Sequence, residues 1–276
     1  MRKEAVERGL LYLAIGIGIV FSLAPFVWFA LIALKPQMEI TAIPPSIFPH
    51  HLTLEAIQMA VERFGLLHYI KNSVIVAGGT TLIGVCVAAP AAYALARLEI
   101  RFRRLILLSL LAVAMFPQLS IAGPVWKILR AMGWLNTYQG LILPYLALTL
   151  PITVWILANY FQELPAELEE AAKADGATVI QTLTRIMVPL AAPGMFTAAI
   201  LTFIYAWNEF FFALLIMTER EYQTVPVGIA LFPGQYTMPW GELAAASTIA
   251  TIPLIIVVIV FQKRIITGLT AGAVSG

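Results

Sequence analysis

Charged residues are scarce in this chain of 276 residues, since only 12% are Asp, Glu, Lys or Arg. Soluble domains carry about 25%, which excludes a soluble globular fold for most of the chain. The net charge is only +2 at pH 7, so the sequence gives no indication of nucleic acid as a partner. The single cysteine, Cys86, cannot form an intramolecular disulfide, and its apolar surroundings in the sequence indicate a packing residue.

Motifs for catalysis and for energy coupling are also missing. The sequence has no G-x-x-x-x-G-K-[ST] phosphate loop, no H-E-x-x-H zinc pair and no nucleophile elbow. Its apolar runs hold few ionisable residues, whereas ion-coupled carriers keep several of them as a relay. We therefore expect a protein that is not an enzyme and that receives its energy from another chain.

Long hydrophobic runs dominate what is present. Hydrophobic residues make up 61% of the chain, the mean hydropathy is +0.89, and a helix needs about 20 mostly apolar residues to cross a bilayer. Six segments meet or approach that length: Leu10–Leu34, Ser73–Ala96, Leu105–Val125, Tyr138–Phe161, Gly194–Met217 and Leu243–Phe261. The sequence predicts an all-α membrane protein with six transmembrane helices in one domain over residues 1–276. The first run is too long for a signal-peptide core, so we expect an uncleaved span.

The basic residues predict the orientation of these spans. With the N-terminus inside the cell, most of the 17 basic residues fall on the inner side. The short segment Arg97–Arg104, with four arginines, is the strongest indication. Both termini and the loop 162–189 are then cytoplasmic, and the loop 36–71 is external.

The predicted external loop 36–71 carries an apolar stripe. Leu54, Ile57, Val61 and Phe64 recur at near-helical spacing, which predicts an amphipathic helix on the outer membrane surface or against the bundle. A structural brace and a contact with an external partner are both compatible with this pattern. The loop also holds all three histidines of the chain. Because no cysteine or further histidine completes a set of ligands, we expect no metal site.

The loop 162–189 is polar and rich in alanine. Its alanines favour a helix, which we expect over residues 166–175, and Gly176 provides the left-handed residue that ends it. A second helical stretch should then return the chain to the membrane. Alanines let a partner approach closely, and Glu170 and Asp175 can make charge-assisted contacts. We interpret this loop as a docking surface for a soluble partner.

One acidic residue lies inside an apolar run, in the sequence Trp207-Asn208-Glu209. A charged side chain inside the bilayer costs about 3 kcal/mol on insertion scales, so Glu209 should face the interior of the bundle. Two interpretations remain open. The three residues line the translocation path or its gate, or they form an interhelical hydrogen-bond network that holds the bundle together.

The docking loop resembles the EAA loop of ABC importer permeases, whose pattern is E-A-A, three residues, G, nine residues and I-x-L-P. The matching residues are Glu170, Ala171, Ala172, Gly176, Ile186 and Pro189. Val188 stands where leucine is usual, which is a mild departure. The chain as a whole is similar to the permease subunits of maltose- and trehalose-type carbohydrate importers. The stretches that carry this similarity are Ala92–Arg97, Leu141–Tyr145, Ala206–Glu209 and Gly268–Ala273.

The resemblance implies the type I ABC importer permease fold in the cell membrane and a set of partners. These are a second permease that completes a heterodimer, a dimer of ATP-binding subunits, and an external solute-binding protein. It implies that ATP and Mg are bound by the partner ATPase and that this chain binds no cofactor. The implied ATPase-coupling residues are Glu170, Ala171, Ala172, Asp175, Gly176, Ile186 and Pro189. In the tail 265–276, the implied ATPase contacts are Gly268, Leu269 and Thr270.

The resemblance also implies import of a sugar, with a disaccharide such as trehalose or maltose as the expected cargo. Glycerol phosphate is the alternative cargo for an importer, and an ion-coupled secondary transporter is the alternative from a different class. Dependence of uptake on ATP distinguishes these two classes. In maltose-type pairs the partner permease holds the sugar, so this subunit can lack sugar contacts altogether.

Overall fold

The computed structural model describes residues 2–232 and 238–271 as helices joined by short loops, and no β-strand occurs within those residues. The helices are α1 (Arg2–Ala33), α2 (Gln37–Ile40), α3 (Glu55–Gln58), α4 (Leu66–Arg97), α5 (Arg103–Ala114), α6 (Gln118–Ala131), α7 (Tyr138–Glu163), α8 (Glu167–Ala174), α9 (Val179–Thr182), α10 (Val188–Leu190), α11 (Ala192–Asn208), α12 (Phe211–Ile216), α13 (Val225–Ala230) and α14 (Trp240–Ala271). Two of them continue as π-helical turns, Met59–Arg63 after α3 and Leu183–Met187 after α9.

Four helices are long and apolar enough to cross a membrane by themselves. They are Glu7–Ala33, Leu66–Arg97, Tyr138–Glu163 and Trp240–Gln262. They coincide with the first, second, fourth and sixth predicted spans. The number rises to six if each of two bent helix pairs is one span. The predicted all-α, multi-pass architecture is therefore confirmed.

The third predicted span, Leu105–Val125, is not one straight helix. It consists of most of α5 and the start of α6, two helices that are bent by 88° relative to each other. The break lies at Pro117, whose backbone is extended with φ −63° and ψ 124°. Proline lacks an amide hydrogen and disfavours helical geometry in the preceding residue. The apolar run therefore continues past Pro117, whereas the helix ends before this residue.

The fifth predicted span, Gly194–Met217, is also interrupted. α11 ends at Asn208 because Glu209 has an extended backbone, with φ −67° and ψ 127°, and α12 starts only at Phe211. Before α11, the helical segment Val179–Leu190 meets it with a bend of 78°. The expectation of one continuous helix is wrong here, because Glu209 and Phe210 lie outside both helices.

The contacts within the chain divide it into two units, residues 1–67 with 229–252 and residues 68–228 with 253–276. In the second unit, α4 and α7 contribute to one buried core of small and aromatic side chains, in which the rings of Tyr93 and Phe161 meet edge to face, 5.8 Å apart. Gly194 of α11 faces the ring of Tyr160 of α7, and a Cβ atom at that position would overlap the ring. Small residues thus allow the close helix packing that stabilises bundles in lipid.

In the first unit, hydrogen bonds fix the segment that follows α1. The Glu39 carboxylate accepts from Ser46 Oγ at 2.7 Å and from the backbone amide of His50 at 2.9 Å. The pKa of Glu39 is lowered to about 2, mainly because Ser46 donates a hydrogen bond to its carboxylate. Desolvation raises this pKa, and the contacts with His50 lower it further. Lys35, which is 4% exposed, donates to the carbonyl of Ser46 and lies over the ring of Trp28.

The amphipathic segment predicted in the loop 36–71 corresponds to α3 and the π-helical turn after it. Its buried residues are Ala56, Ala60 and Phe64, whereas Leu54 of the predicted apolar stripe is 66% exposed. A π-helical turn contains more residues than an α-helical turn. The buried face therefore differs from the one predicted at α-helical spacing.

Candidate functional site

The helix predicted over residues 166–175 is present as α8, and it ends before Gly176, as the sequence predicts. Gly176 has φ +76°, a conformation that glycine adopts without the steric cost of a side chain. The amide of Gly176 donates to the carbonyl of Lys173 at 3.0 Å, and the amide of Ala177 donates to the carbonyl of Ala172 at 2.9 Å. These two bonds form a Schellman motif, so the turn after α8 has a defined direction.

α8 and the turn after it have an open face and a buried face. Within α8 and this turn, the exposed residues of the predicted coupling set are Glu170, Ala171, Asp175 and Gly176. We call these four residues the coupling face. Ala172 belongs to the same predicted set, but it is only 4% exposed and packs against the chain itself. The open face combines the carboxylates of Glu170 and Asp175 with two small residues, which suits insertion into a groove with cationic or amide donors.

The return segment after Gly176 is also well defined. Thr178 and Gln181 form a capping box, in which each side chain binds the backbone amide of the other residue. Further along, Met187 is fully buried, Ile186 is half-buried and Pro189 is exposed. The I-x-x-P end of the motif thus lies where the segment joins the bundle, and Pro189 is its most accessible predicted coupling residue.

The second candidate site surrounds Glu209, which is 8% exposed. Its carboxylate accepts from Tyr145 Oη at 2.6 Å and from the backbone amides of Phe212 at 3.0 Å and Ala213 at 3.2 Å. The two amides belong to the first turn of α12 and have no partner within that helix. The carboxylate therefore caps α12 and links it to α7.

The neighbours of Glu209 lie in different surroundings. Trp207 is 3% exposed and stacks with Phe203 at 5.6 Å. Asn208 is exposed, and its Nδ2 donates to the carbonyl of Ile204 at 2.8 Å. The contacts of Glu209 are those of a hydrogen-bond network. A role of Trp207, Asn208 and Glu209 in the translocation path or its gate stays a prediction.

Sequence reasoning missed two polar contacts between helices. Tyr145 is fully buried and is the side chain that donates to Glu209. Gln118 at the start of α6 donates to the hydroxyl of Tyr205 in α11. The available signal was weak, because these residues lie within apolar runs and the sequence does not show which helices face each other.

The predicted tail contact lies partly outside the described residues. The backbone of α14 is helical through Gly268, Leu269 and Thr270 and ends at Ala271, and residues 272–276 of the tail 265–276 lie outside. The role of these residues toward an ATPase stays a prediction. Within the described residues, no group of three or more His, Cys, Asp and Glu side chains could hold a metal ion.

Comparison with known families gives one match over most of the chain. Residues 81–270 match the family described as binding-protein-dependent transport system inner membrane component. The matched region includes α8, the coupling face and Glu209.

Curated relatives align over almost their whole length. The trehalose/maltose transport system permease protein MalG of Thermococcus litoralis is 45% identical over 100% of both chains. The trehalose transport system permease protein SugB of Mycobacterium tuberculosis is 41% identical over 93% of both chains. The sulfoquinovosyl glycerol transport system permease protein SmoH of Agrobacterium fabrum is 40% identical over 98% of this chain and 94% of that protein.

Among solved structures, the fold is similar to a chain of a bacterial ABC transporter involved in import of the acidic polysaccharide alginate. The TM-score is 0.81 with 22% sequence identity, over 95% of this chain and 98% of that chain. A second structure, of the alginate transporter in complex with an alginate pentasaccharide-bound periplasmic protein, matches with a TM-score of 0.68 and 16% identity over 95% of this chain and 97% of that chain. At these identities the likeness concerns the fold.

Proposed function

The chain belongs to the binding-protein-dependent transport system inner membrane component family, and we propose that it imports a disaccharide such as trehalose or maltose. Members of this family are multi-pass membrane components of ABC importers and are not enzymes. The proposed cargo is supported by the names of the relatives from Thermococcus litoralis and Mycobacterium tuberculosis, which align with this chain over 93% or more of its length.

The coupling face is the site at which we propose that the chain receives its energy. The observation that carries this proposal is the open face of α8, where Glu170 and Ala171 are exposed and Gly176 ends the helix with φ +76°. In this proposal the partner ATPase holds α8 in a groove, and Glu170 binds an arginine or a backbone amide of that groove. Closure of the ATPase dimer on ATP then displaces α8.

The proposed assembly contains this chain, a second permease, a dimer of ATP-binding subunits and an external solute-binding protein. ATP and Mg are bound by the ATPase, and no cofactor is assigned to this chain. ATP can change the state of the bundle only through a difference in its affinity for the two states of the ATPase. We propose that the resulting change in the ATPase is transmitted to the permease through α8 and the tail residues 268–270.

The orientation of the chain is part of the proposal. Both termini and the coupling face are cytoplasmic, which is supported by the arginines of Arg97–Arg104. A reporter enzyme that works only outside the membrane should be inactive when fused after Gly276. An active fusion would contradict this topology.

Uptake by the reconstituted transporter tests the proposed function. Proteoliposomes with all subunits should accumulate radiolabelled trehalose or maltose only when ATP and the binding protein are present. Glu170→Ala should reduce uptake about tenfold or more, because a charge-assisted contact is worth about 1.5–3 kcal/mol. The matched control is Glu99→Ala, which removes an exposed acid from the loop after α4 and should leave uptake unchanged. Uptake driven by an ion gradient without ATP would exclude the proposal.

The relative from Agrobacterium fabrum gives a second candidate cargo, a sugar linked to glycerol. Glycerol phosphate, the alternative indicated by the sequence, belongs in the same comparison. Calorimetric titration of the cognate solute-binding protein with trehalose, maltose, sulfoquinovosyl glycerol and glycerol phosphate distinguishes these cargoes. We expect the tightest binding for one of the two disaccharides.

A further inference from the structure

The buried face of α8 holds an acidic residue that the coupling face does not use. Glu169 is 7% exposed, whereas its neighbour Glu170 is exposed. Glu169 and Ala172 are three residues apart, so they lie on the same side of α8, the side that packs against the other helices of the chain. A carboxylate in that position needs a cation or hydrogen-bond donors to offset its lost hydration.

Arg97 supplies the cation. Its Nε lies 3.4 Å from Oε1 of Glu169, and the two side chains are only 12% and 10% exposed. The same guanidinium donates from its other end to the backbone carbonyl of Leu164. Within the described residues, neither Arg97 Nε nor Glu169 Oε1 has a hydrogen-bond partner. The charges of Arg97 and Glu169 therefore compensate each other.

One side chain thus links three helical elements. Arg97 is the last residue of α4, Leu164 is the residue that caps the end of α7, and Glu169 lies in the first turn of α8. Only residues 164–166 connect α7 to α8, and the Arg97 guanidinium contacts Leu164 at the start of this connection and Glu169 just after it. The guanidinium fixes the direction in which α8 leaves the bundle.

The opposite end of α4 is also held by hydrogen bonds. Nδ2 of Asn72 donates to the carbonyls of Glu221 at 2.8 Å and Gln223 at 2.9 Å. Oγ of Ser73 accepts from the amide of Val225 at 2.8 Å. Both side chains are buried. Since α4 has 32 residues, these contacts lie about 40 Å from its other end at a rise of about 1.5 Å per residue.

We propose that Arg97 is the positioning residue that transmits movement of α8 to α4, and through α4 to the segment 221–225. This inference rests on the proposed coupling role of α8. When the ATPase displaces the coupling face, the ion pair on the opposite face makes α4 follow. Without the pair, α8 would move on its short connection while α4 stayed in place.

Charge variants in the complete transporter test this inference. Arg97→Gln and Glu169→Gln each leave one buried charge unpaired, whereas the double variant Arg97→Glu with Glu169→Arg restores a pair of reversed sign. The matched control is Arg101→Gln, since this exposed arginine lies over the ring of Phe102 in the loop after α4. All variants are purified with the second permease and the ATPase, and the assembled complex is quantified before any assay.

The single variants should keep the ATPase bound and keep its basal hydrolysis. Sugar uptake and the hydrolysis stimulated by loaded binding protein should fall about tenfold, because contacting charged residues are energetically coupled and a tenfold loss corresponds to about 1.4 kcal/mol. The double variant should recover most of both activities. Arg101→Gln should match the unmodified transporter.

A fluorescent probe on α4 gives a signal whose response to ATP would be unaffected if Arg97 had only a structural role. Cys86 is the only cysteine of the chain, is exposed and lies on α4, so monobromobimane can be attached there once the other subunits lack cysteine. In the unmodified transporter, a non-hydrolysable ATP analogue should change the emission of the probe. In Arg97→Gln the change should disappear although the ATPase remains bound.

Glu170→Ala separates this inference from the proposed function. That variant should release the ATPase from the permease. If it retained the ATPase and full uptake, the coupling role of α8 would be wrong. If it released the ATPase while Arg97→Gln kept full uptake and the probe response, only the role of Arg97 would be overturned. Failure of both single variants and the double variant to assemble would also overturn it, because the pair would then serve folding.

Discussion

Glu170 and Glu209 are two acidic residues in opposite surroundings. Glu170 lies on the open face of α8 and is exposed. Glu209 is 8% exposed and accepts three hydrogen bonds, from Tyr145, Phe212 and Ala213. Both are carboxylates in a chain of which only 12% of the residues are charged. Only one of them is available to another molecule.

The difference shows that burial determines whether a polar residue in a membrane bundle stabilises the fold or can bind a partner. A buried carboxylate must have its donors within the chain, because lipid provides none, and its contribution is to the folded state. An exposed carboxylate on a short helix contributes little to folding and can bind a partner. Substitutions should therefore affect stability at Glu209 and transport at the coupling face.

The largest effect on stability is expected for Glu209→Ala. The change leaves two amides of α12 and the Tyr145 hydroxyl without their acceptor, at a cost of about 2–4 kcal/mol. Thermal unfolding of the detergent-solubilised complex, followed by intrinsic fluorescence, should show a clearly lower midpoint. Asn208→Ala, which removes the exposed neighbour, should change the midpoint little. Equal midpoints for the two variants would remove the distinction between the sites.

Gly176→Leu should have the next largest effect. It should reduce transport and leave the stability of the bundle unchanged. A leucine in this left-handed turn costs about 1–2 kcal/mol, and relief of that strain would unwind the end of α8. We expect uptake to fall about tenfold with the unfolding midpoint unchanged. Gly133→Leu is the matched control, because Gly133 has φ +69° in the turn before α7 and lies away from the coupling face. Equal loss of uptake in both variants would mean that strain in any turn is sufficient.

Tyr145→Phe should be milder than Glu209→Ala. It removes one of the donors to Glu209 and leaves the two amide contacts, so we expect a loss of about 1 kcal/mol and a small decrease in the unfolding midpoint. Tyr12→Phe, at a position that is 71% exposed on α1, should have no effect. A decrease as large as that of Glu209→Ala would mean that the hydroxyl alone maintains the cap of α12.

The smallest effect concerns Glu39 in α2, the short helix after α1. Its pKa is lowered from 4.5 to about 2, mainly by donation from Ser46. A lowered pKa in the folded state means that this contact stabilises the loop above about pH 4.5 and that the contribution is lost as the pH falls toward 2. Carbon NMR of labelled glutamate should show Glu39 still ionised at pH 4. In Ser46→Ala its pKa should rise toward 4.5, and an unchanged titration would contradict the assigned cause.

The family resemblance and the membrane fold could be predicted from the sequence. The family match and the similarity to an importer permease structure confirm them. The runs of apolar residues were sufficient for α1, α4, α7 and α14, because a long apolar segment in lipid has to form a helix to satisfy its backbone. The end of α8 was also predictable, since Gly176 determines it through local geometry.

The breaks in the third and fifth spans could not be read from hydropathy. Pro117 interrupts its run, while Pro90, Pro144 and Pro253 lie inside continuous helices, so proline alone does not decide where a helix ends. Glu209 interrupts α11 because a tyrosine of α7 and two amides of α12 compensate its charge. These partners come together only in the folded bundle.

From the amino-acid sequence alone, a multi-pass helical protein of an importer family was predictable, together with a short helix that ends before Gly176. Those features depend on local backbone preferences and on the transfer of apolar segments into lipid. The direction of each acidic side chain depends on the packing of the helices: Glu170 points outward, Glu169 toward Arg97 and Glu209 toward Tyr145. Neighbouring residues on a helix point about 100° apart, and only the packing of the other helices determines which of them is buried and with which partner.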